Sequence, residues 1–276
     1  MAPKQTLGDY LKRQEACWDA RLPSRLPYVV RLDGRGFHRW VKQTGCEKPF
    51  DHRLGDLMAR TLRFTCEQMG VAAFGYTQSD EMSILVREEL KDQEHEPWFD
   101  GRVEKICSLV ASFATYAFNA ENPFEKKVPA FFDARVFVLP SESLAAYFIW
   151  RQNDATKNSL SMLAQSLYKQ KELQGKRRAD LHELCFRKGA NWNDLPIPDK
   201  RGRAVYRVEV EKSGRDGAAV LRHVFRVDES IPVFAENADW LDARLRGERD
   251  THGMTTTSGP RPRSWLSRKS GRNING

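Results

Sequence analysis

Apolar and polar positions along the first half of the chain predict short strands separated by amphipathic helices. Tyr28 to Asp33 has the composition of a buried strand and ends at an Asp-Gly pair. Apolar residues recur at helical spacing from Leu54 to Met69 and stop before Gly70, a common residue at a helix end. Ala72 to Tyr76 and Met82 to Arg87 then predict two strands joined by a tight polar turn.

A second helix and a fourth strand complete this pattern. One helical face is formed by Val103, Ile106, Val110, Phe113 and Ala117. Residues 131–139 follow as a strand, which Pro140 stops. The order strand, helix, strand, strand, helix, strand predicts an α+β fold of the ferredoxin-like βαββαβ type, with a mostly antiparallel sheet and helices packed on one face.

The second half of the chain has a different character. Residues 141–174 are predicted to be helical, and residues 203–210 and 219–227 predict a β-hairpin with Gly214 and Gly217 in its connection. We therefore divide the sequence into a core over residues 1–140, a mainly helical C-terminal appendage with a short hairpin over residues 141–250, and a tail over residues 251–276.

Composition favours a folded protein with a basic tail. The 276 residues include 45 Lys and Arg against 37 Asp and Glu, which gives a formal net charge of +8 and a pI of about 9.3. The tail holds five of these cations and no acidic residue, so residues 1–250 carry only +3. Its Gly, Ser, Thr, Arg and Pro content predicts disorder. The tail is therefore either a solvated terminus or a source of non-specific RNA affinity.

Cysteine usage and hydropathy indicate a cytoplasmic protein. The five cysteines are scattered and form no C-x-x-C pair, which argues against a disulfide framework or a cysteine-based zinc site. No run of residues approaches the length of a membrane span. The first residues also lack the apolar segment of a signal peptide.

Two carboxylates have settings that suggest metal chemistry. Asp33 ends the first strand and Asp80 lies in the predicted hairpin turn. In a βαββαβ sheet these strands are neighbours, so the two carboxylates are expected to converge. Such a pair can hold Mg²⁺, which fills its shell with water and substrate phosphates. Asp-Gly and Ser-Asp-Glu are also ordinary turn sequences, so solvent-facing turn residues are the alternative.

Basic residues near the two acids strengthen the metal interpretation. Arg31 shares a strand face with Asp33. Arg135 lies on a strand whose Phe, Ala and Val residues predict burial. With Lys105 and Lys48 they would cradle a triphosphate. His38 could contact a base or a phosphate, or be structural. Each of the four cations could instead make ordinary surface or ion-pair contacts.

Three motifs resemble one known family. Arg31 to Arg39 (RLDGRGFHR), Gln78 to Glu81 (QSDE) and Phe132 to Arg135 (FDAR) resemble, in order, the motifs of the tRNA-His guanylyltransferase family, the 3′-to-5′ polymerases. The resemblance extends from about Leu7 to Val227. It implies a polymerase-type palm for the core, which agrees with the predicted strand order.

The resemblance also implies roles for individual residues. Two Mg²⁺ ions would be bound by Asp33, the carbonyl of Gly34, and Asp80, and Lys48 would serve an ATP-dependent activation step. The implied catalytic residues are Asp33, Asp80 and Lys48. The implied nucleotide contacts are Arg31, Asp33, Gly34, Arg35, Gly36, Phe37, His38, Lys48, Ser79, Asp80, Lys105 and Arg135.

The implied reaction is two nucleotidyl transfers at a tRNA 5′ end, with ATP and GTP or another nucleoside triphosphate as substrates. ATP first adenylylates the 5′-phosphate, and an incoming nucleotide then displaces AMP. Residues 154–159 depart from the eukaryotic segment that accompanies recognition of the histidine anticodon. They resemble the bacterial and archaeal like-protein branch, which repairs truncated tRNA 5′ ends, so relaxed substrate choice is expected.

Partners follow from the same resemblance. Arg151, Asn158 and Lys176 are candidate tRNA contacts in the appendage, with helix caps or solvated surface as the alternative. The family implies a homotetramer. Two further functional hypotheses remain open: a palm-type nucleotidyl cyclase or dinucleotide synthase, and a non-catalytic ferredoxin-like RNA-binding module. Such a module usually carries exposed strand aromatics, whereas these strands carry Arg31, Asp33 and Arg135.

Overall fold

The structure, a computed structural model, describes residues 6–90, 96–213 and 219–247. The predicted tail and the glycines of the predicted hairpin connection lie outside these residues. The strands are β1 (Tyr28–Gly34), β2 (Ala72–Gln78), β3 (Glu81–Val86), β4 (Phe132–Val138), β5 (Arg203–Ser213) and β6 (Ala219–Asp228).

The α-helices follow the predicted order and continue through the appendage. They are α1 (Leu7–Glu15), α2 (Phe37–Thr44), α3 (His52–Met69), α4 (Val103–Ala120), α5 (Leu144–Leu167), α6 (Gln170–Leu173), α7 (Arg178–Arg187), α8 (Ile197–Arg201) and α9 (Ala238–Leu245). Short 3₁₀ segments lie at Ala16–Trp18, Glu88–Leu90, Trp98–Gly101, Ser141–Ser143, Trp192–Asp194 and Phe234–Glu236.

The strands form one antiparallel sheet in the order β4-β1-β3-β2-β5-β6. The first four positions give the ferredoxin-like order, so the predicted fold class is confirmed. The predicted hairpin is also confirmed as β5 and β6. It extends the same sheet, because β5 pairs with β2.

Helices α3 and α4 cover one face of the sheet. Asp51 caps the start of α3 by accepting a hydrogen bond from the Arg53 N–H, and the helix ends at Gly70 with a φ of 67°. Between these helices and the sheet lies a core of fully buried residues, including Val30, Leu32, Leu62, Met82, Val110 and Phe118. On α4 the buried residues include Ala114 and Phe118, whereas Phe113, predicted for the buried face, stays partly exposed.

The opposite face of the sheet is also covered, which the prediction of helices on one face did not include. Helices α5 and α9 pack there against Val29, Phe74 and Leu85. Successive residues of a strand point to opposite faces, so this face is buried only because the appendage folds back over the core.

The predicted division at residue 140 remains a prediction. The structure shows that segments from both sides of it share one sheet, since β5 joins β2, and one core, since α5 packs against β1 and β3. Among the described residues, no helix is both long and apolar enough to cross a membrane.

Candidate active site

A glycine-containing loop connects β1 to α2 directly after Asp33. Gly34 is buried, and a β-carbon there would overlap the ring of Phe37, so a larger residue would push the loop away from the helix. Gly36 takes a φ of 65°, which suits glycine, and precedes α2 without a side-chain cap. The Arg39 N–H donates to the Gly36 carbonyl at 3.0 Å, which leaves the N–H groups of Phe37 and His38 at the start of α2 to donate to an anion at this loop.

The turn between β2 and β3 meets this loop. It consists of Ser79 and Asp80, because Gln78 and Glu81 already pair across the hairpin. The Gly34 N–H donates to the Asp80 carbonyl at 3.0 Å, and Asp33 lies opposite Glu81 in the β1–β3 register. The structure thus brings Asp33 and Asp80 to one edge of the sheet, as their positions in the sequence predicted.

Electrostatics at this edge favour a bound cation. Burial is the largest influence that raises the pKa of the Asp80 carboxyl, and the charge of Asp33 raises it further, against a lowering hydrogen bond from the Ser79 hydroxyl. A divalent cation between the two carboxylates would relieve this repulsion. Their hard oxygen donors, with the Gly34 carbonyl, match the preference of Mg²⁺.

The protein side chains alone would leave much of a metal's coordination shell open. Among the described residues, no group of three or more His, Cys, Asp and Glu side chains is arranged to hold a metal. Mg²⁺ commonly binds through one or two carboxylates and completes its shell with water and phosphate. Asp33 and Asp80 therefore fit a metal that arrives with, or is completed by, a nucleotide.

Two connected depressions lie beside the acids. A groove of about 370 Å³ is lined by Gly34, Gly36, Phe37, His38, Val41, Leu54, Ser79 and Asp80. A neighbouring cavity of about 160 Å³ shares Val41, Leu54 and Ser79 with it, and is otherwise lined partly by Cys46, Phe50, Asp51, Asn158, Met162 and Arg203. An open polar groove at a helix N-terminus suits phosphates, and a partly apolar cavity suits a base.

The four predicted triphosphate cations are not gathered around this groove. Arg31 is partly buried and its guanidinium contacts the Glu81 carboxylate. Arg135 lies opposite Arg31 on β4, which is an edge strand, so its side chain is 60% exposed rather than buried as its neighbours suggested. Lys105 lies in a separate groove with Asp19 and Arg102, its ammonium 4.7 Å from the Phe99 ring.

The remaining predicted nucleotide contacts differ in their exposure and in the groups that they offer to a ligand. Arg35 and His38 are exposed, and His38 lines the groove. The Phe37 ring is buried, stacked on Trp40 with ring centroids 5.4 Å apart, so Phe37 offers a ligand mainly its backbone at the start of α2. Lys48 is exposed between two residues that line the cavity.

The three candidate tRNA contacts have different environments. Arg151 is only 2% exposed, and both carboxylate oxygens of Glu81 accept from its guanidinium, so the structure places it in the interior rather than on the surface that the predicted tRNA contact requires. Asn158 is exposed and lines the cavity beside Ser79. Lys176 is exposed between α6 and α7.

Sequence reasoning missed Glu81 and the cavity wall. Glu81 follows Asp80 directly, and a second acid beside a candidate catalytic acid was an available signal. The wall residues Met162 and Arg203 come from α5 and β5, more than 80 residues from Ser79 in the chain. No local pattern predicts that approach.

Comparisons with known proteins agree on one family. The model of the tRNAHis guanylyltransferase family matches residues 8–140. The chain is 34% identical over 201 residues to a probable tRNA(His) guanylyltransferase of Mus musculus, covering 67% of this chain and 65% of that one. The match thus spans just under two thirds of the mouse protein.

Solved structures give a similar result. A bacterial tRNA(His) guanylyltransferase-like protein in complex with ATP superposes with a TM-score of 0.77 and 36% identity, covering 87% of this chain and 99% of that one. One in complex with GTP gives a TM-score of 0.72 and 34% identity, with the same coverage.

Proposed function

This chain belongs to the tRNAHis guanylyltransferase family, and from that membership we propose that it is a nucleotidyltransferase that adds nucleotides to the 5′ end of tRNA in the 3′-to-5′ direction. The observation that carries the proposal is the convergence of Asp33 and Asp80 beside the uncapped N-terminus of α2. This arrangement combines a candidate metal site with a phosphate site, as nucleotidyl transfer requires.

The chain's own residues would bind and orient the nucleotide. We place the phosphates over the Gly34–Gly36 loop at the uncapped start of α2, and the base in the cavity lined by Val41, Leu54 and Met162. Asp33, the Gly34 carbonyl and Asp80 would hold two Mg²⁺. When bound, Mg²⁺ supplies charge neutralisation on the triphosphate and activation of the attacking oxygen.

The proposed reaction has two balanced steps. An oxygen of the tRNA 5′-phosphate attacks the α-phosphorus of ATP and forms a new P–O bond. The bond between the α-phosphorus and the oxygen that bridges it to the β-phosphorus breaks, and pyrophosphate leaves. The 3′-hydroxyl of an incoming nucleoside triphosphate then attacks the tRNA 5′-phosphorus and its proton passes to solvent. A new P–O bond forms, the P–O bond to the adenylate breaks, and AMP leaves. The solved relatives with ATP and with GTP support both kinds of nucleotide as substrates.

The substrate is proposed to be a tRNA with an incomplete 5′ end, tRNA-His included. Residues 154–159 depart from the eukaryotic histidine-specific segment, and bacterial like-proteins are among the structural relatives. Both observations support templated repair with relaxed tRNA choice. A homotetramer and a cytoplasmic location also belong to this proposal, and the five free cysteines agree with a reducing compartment.

One assay tests the proposed function against its rivals. The protein is incubated with Mg²⁺, labelled nucleoside triphosphates and a tRNA that lacks its first nucleotide, and the products are separated by size. We expect a tRNA lengthened at its 5′ end. A cyclic or dinucleotide product formed without RNA would instead indicate a cyclase, and tRNA binding without any product would indicate a binding module.

Lys48 provides a prediction about the activation step. Lys48→Ala should slow addition to 5′-monophosphorylated tRNA by about 10²-fold, a typical effect of losing one well-placed charge in the transition state. Addition to 5′-triphosphorylated tRNA, which needs no adenylylation, should change much less. Single-turnover rates on the two tRNAs measure the difference, and equal losses would remove Lys48 from activation. Lys42→Ala, an exposed lysine on α2, is the control.

A further inference from the structure

Glu81 is held by two arginines in the interior of the protein. Its side chain is 7% exposed, and it accepts from the Arg151 Nη1 at 3.0 Å and 2.8 Å. The Arg31 guanidinium contacts the same carboxylate. Arg151 is further enclosed by the Trp150 ring, 3.6 Å from its Cζ, and by Asp154 at 3.3 Å.

A buried ionic cluster of this kind is a costly way to stabilise a fold. Removing two guanidinium groups and a carboxylate from water is costly, and well-packed apolar residues often serve stability equally well. A buried ionic cluster is therefore weak support for a purely stabilising role. The Arg151 Nη1 lies within hydrogen-bond distance of both Glu81 carboxylate oxygens, and such directional, charge-assisted contacts are better suited to fixing geometry.

The position of Glu81 shows which geometry is fixed. Glu81 is the residue next to Asp80, and the turn contains only Ser79 and Asp80. Ser79 adopts a φ of 50°, a strained value for a non-glycine residue, so the turn needs support from its surroundings. A displacement of Glu81 passes directly to the Asp80 carboxyl through one peptide unit.

Arg151 connects this turn to the appendage. It lies on α5, 70 residues from Glu81 in the sequence, and the same helix contributes Ala155, Asn158 and Met162 to the cavity wall. One rigid helix thus forms part of the cavity and also anchors the turn that carries Asp80. The relative position of cavity and carboxyl is set through this helix.

We infer that Arg151 is a positioning residue, which acts through Glu81 to hold Asp80 in register with the nucleotide site and does not contact RNA. The inference rests on the proposed function for its kinetic consequences. Two other bonds also hold the turn: the Thr77 hydroxyl donates to the Glu81 carbonyl at 2.8 Å, and the Gly34 N–H donates to Asp80. Neither bond fixes the Glu81 side chain, so the arginine contacts have a separate role.

The test uses Arg151→Met, Glu81→Gln and the double variant. Arg151→Met leaves Glu81 with Arg31 as its charged partner, and Glu81→Gln leaves Arg151 with Asp154, so each single change weakens the pairing of a buried charge and should lower stability. The double change removes both charges and should recover part of that stability. The placement of the Asp80 carboxyl, in contrast to stability, should not be restored in the double variant. In all three variants, kcat for nucleotide addition should fall about 10- to 100-fold, because small misplacements of reacting groups cost that much.

The split between kcat and KM separates positioning from RNA contact. A positioning role predicts lower kcat with a KM for tRNA that changes by less than about threefold. An RNA contact predicts a raised KM for tRNA with kcat preserved at saturating tRNA, which would overturn the inference. A double variant that regains both stability and wild-type kcat would also overturn it, since the cluster would then be only structural.

Arg87→Met is the matched control. Arg87 follows the other end of β3, is mostly buried with 11% of its side chain exposed, contacts Glu89, and donates to the Leu245 carbonyl at 2.7 Å. Its replacement should lower stability and leave the kcat of the folded protein unchanged. A comparable kcat loss in Arg87→Met would show that any buried arginine at this sheet has the same effect, and would refute the inference.

Hydrogen exchange gives a readout that does not depend on activity. The Gly34 amide is bonded to the Asp80 carbonyl at 3.0 Å, so it reports on the turn directly. The double variant should exchange this amide at least about tenfold faster than its loss of global stability alone accounts for, as judged from the slowest-exchanging core amides of the same variant. Unchanged exchange would overturn the inference even if the wild-type protein proves to have another activity. Inactive wild-type protein would refute the proposed function without affecting this measurement.

Discussion

Replacing Asp33 or Asp80 by alanine is expected to abolish nucleotide addition while tRNA binding persists. Each change removes one of the two carboxylates that converge at the end of β1 and in the β2–β3 turn. Loss of a preorganised charge at the reacting centre typically lowers kcat by about 10²- to 10³-fold, and loss of a metal ligand should exceed that. Single-turnover nucleotide addition and a separate tRNA-binding titration measure the two properties.

Stability should respond differently from activity in these variants. Burial and the charge of Asp33 both disfavour ionised Asp80, so Asp80→Ala removes an unfavourable interaction in the folded protein. Its free energy of unfolding should stay within about 1 kcal/mol of the wild type, or rise. An inactive variant that is also strongly destabilised would point to a structural role.

Asp133 provides the matched control for the carboxylate prediction. It lies opposite Asp33 on the edge strand β4, and its side chain is 62% exposed. Asp133→Ala changes the local charge by the same amount without removing a group from the turn or from the Gly34 loop. It should retain activity within about threefold. Full activity in Asp33→Ala or Asp80→Ala would refute the metal assignment.

Phe118→Ala is expected to destabilise the fold more than any surface change. Phe118 is fully buried on α4, and its ring lies 5.4 Å from Phe37, 5.1 Å from Trp40 and 5.4 Å from Phe132. Removing a buried phenyl ring leaves a cavity and costs about 3–5 kcal/mol. Urea unfolding measures the loss.

Phe118→Ala should also disturb the candidate active site at the start of α2. The Phe37 ring packs between Phe118 and Gly34, so the emptied space lets the first turn of α2 shift. Tyr116→Ala, on the exposed side of α4 where the Phe64 ring lies 5.9 Å away, should cost about 0.5–1.5 kcal/mol. A loss below about 1 kcal/mol in Phe118→Ala would contradict the packing described here.

The sequence predicted the elements of the core well because each has a strong local signal. Tyr28 to Asp33 combines strand-forming residues with a terminal Asp-Gly, and α3 has both a helical apolar period and Gly70 at its end. The motif at Asp33 and the turn at Asp80 lie between such elements. Their convergence therefore followed from the strand order alone.

Predictions failed where the outcome depends on distant contacts. Arg135 was expected to be buried because its neighbours are apolar, but β4 is an edge strand and sheet order decides exposure. Arg151 and Gln152 have the polarity of surface residues, yet both are buried. Their partners, Glu81 for Arg151 and the Pro232 carbonyl for Gln152, lie 70 and 80 residues away.

The pairing of β2 with β5 has a consequence during synthesis of the chain. Roughly 125 residues separate the two strands, which at typical translation rates corresponds to about 6 to 25 s. Over that interval β2 has one open edge, and the sheet face with Val29, Phe74 and Leu85 stays uncovered until α5 (Leu144–Leu167) and later α9 (Ala238–Leu245) have been made. An open strand edge beside a bare apolar face is prone to pair with other chains. The nascent chain is thus vulnerable to aggregation in the interval that begins once β2, β3 and the carboxylates of Asp33 and Asp80 have been made.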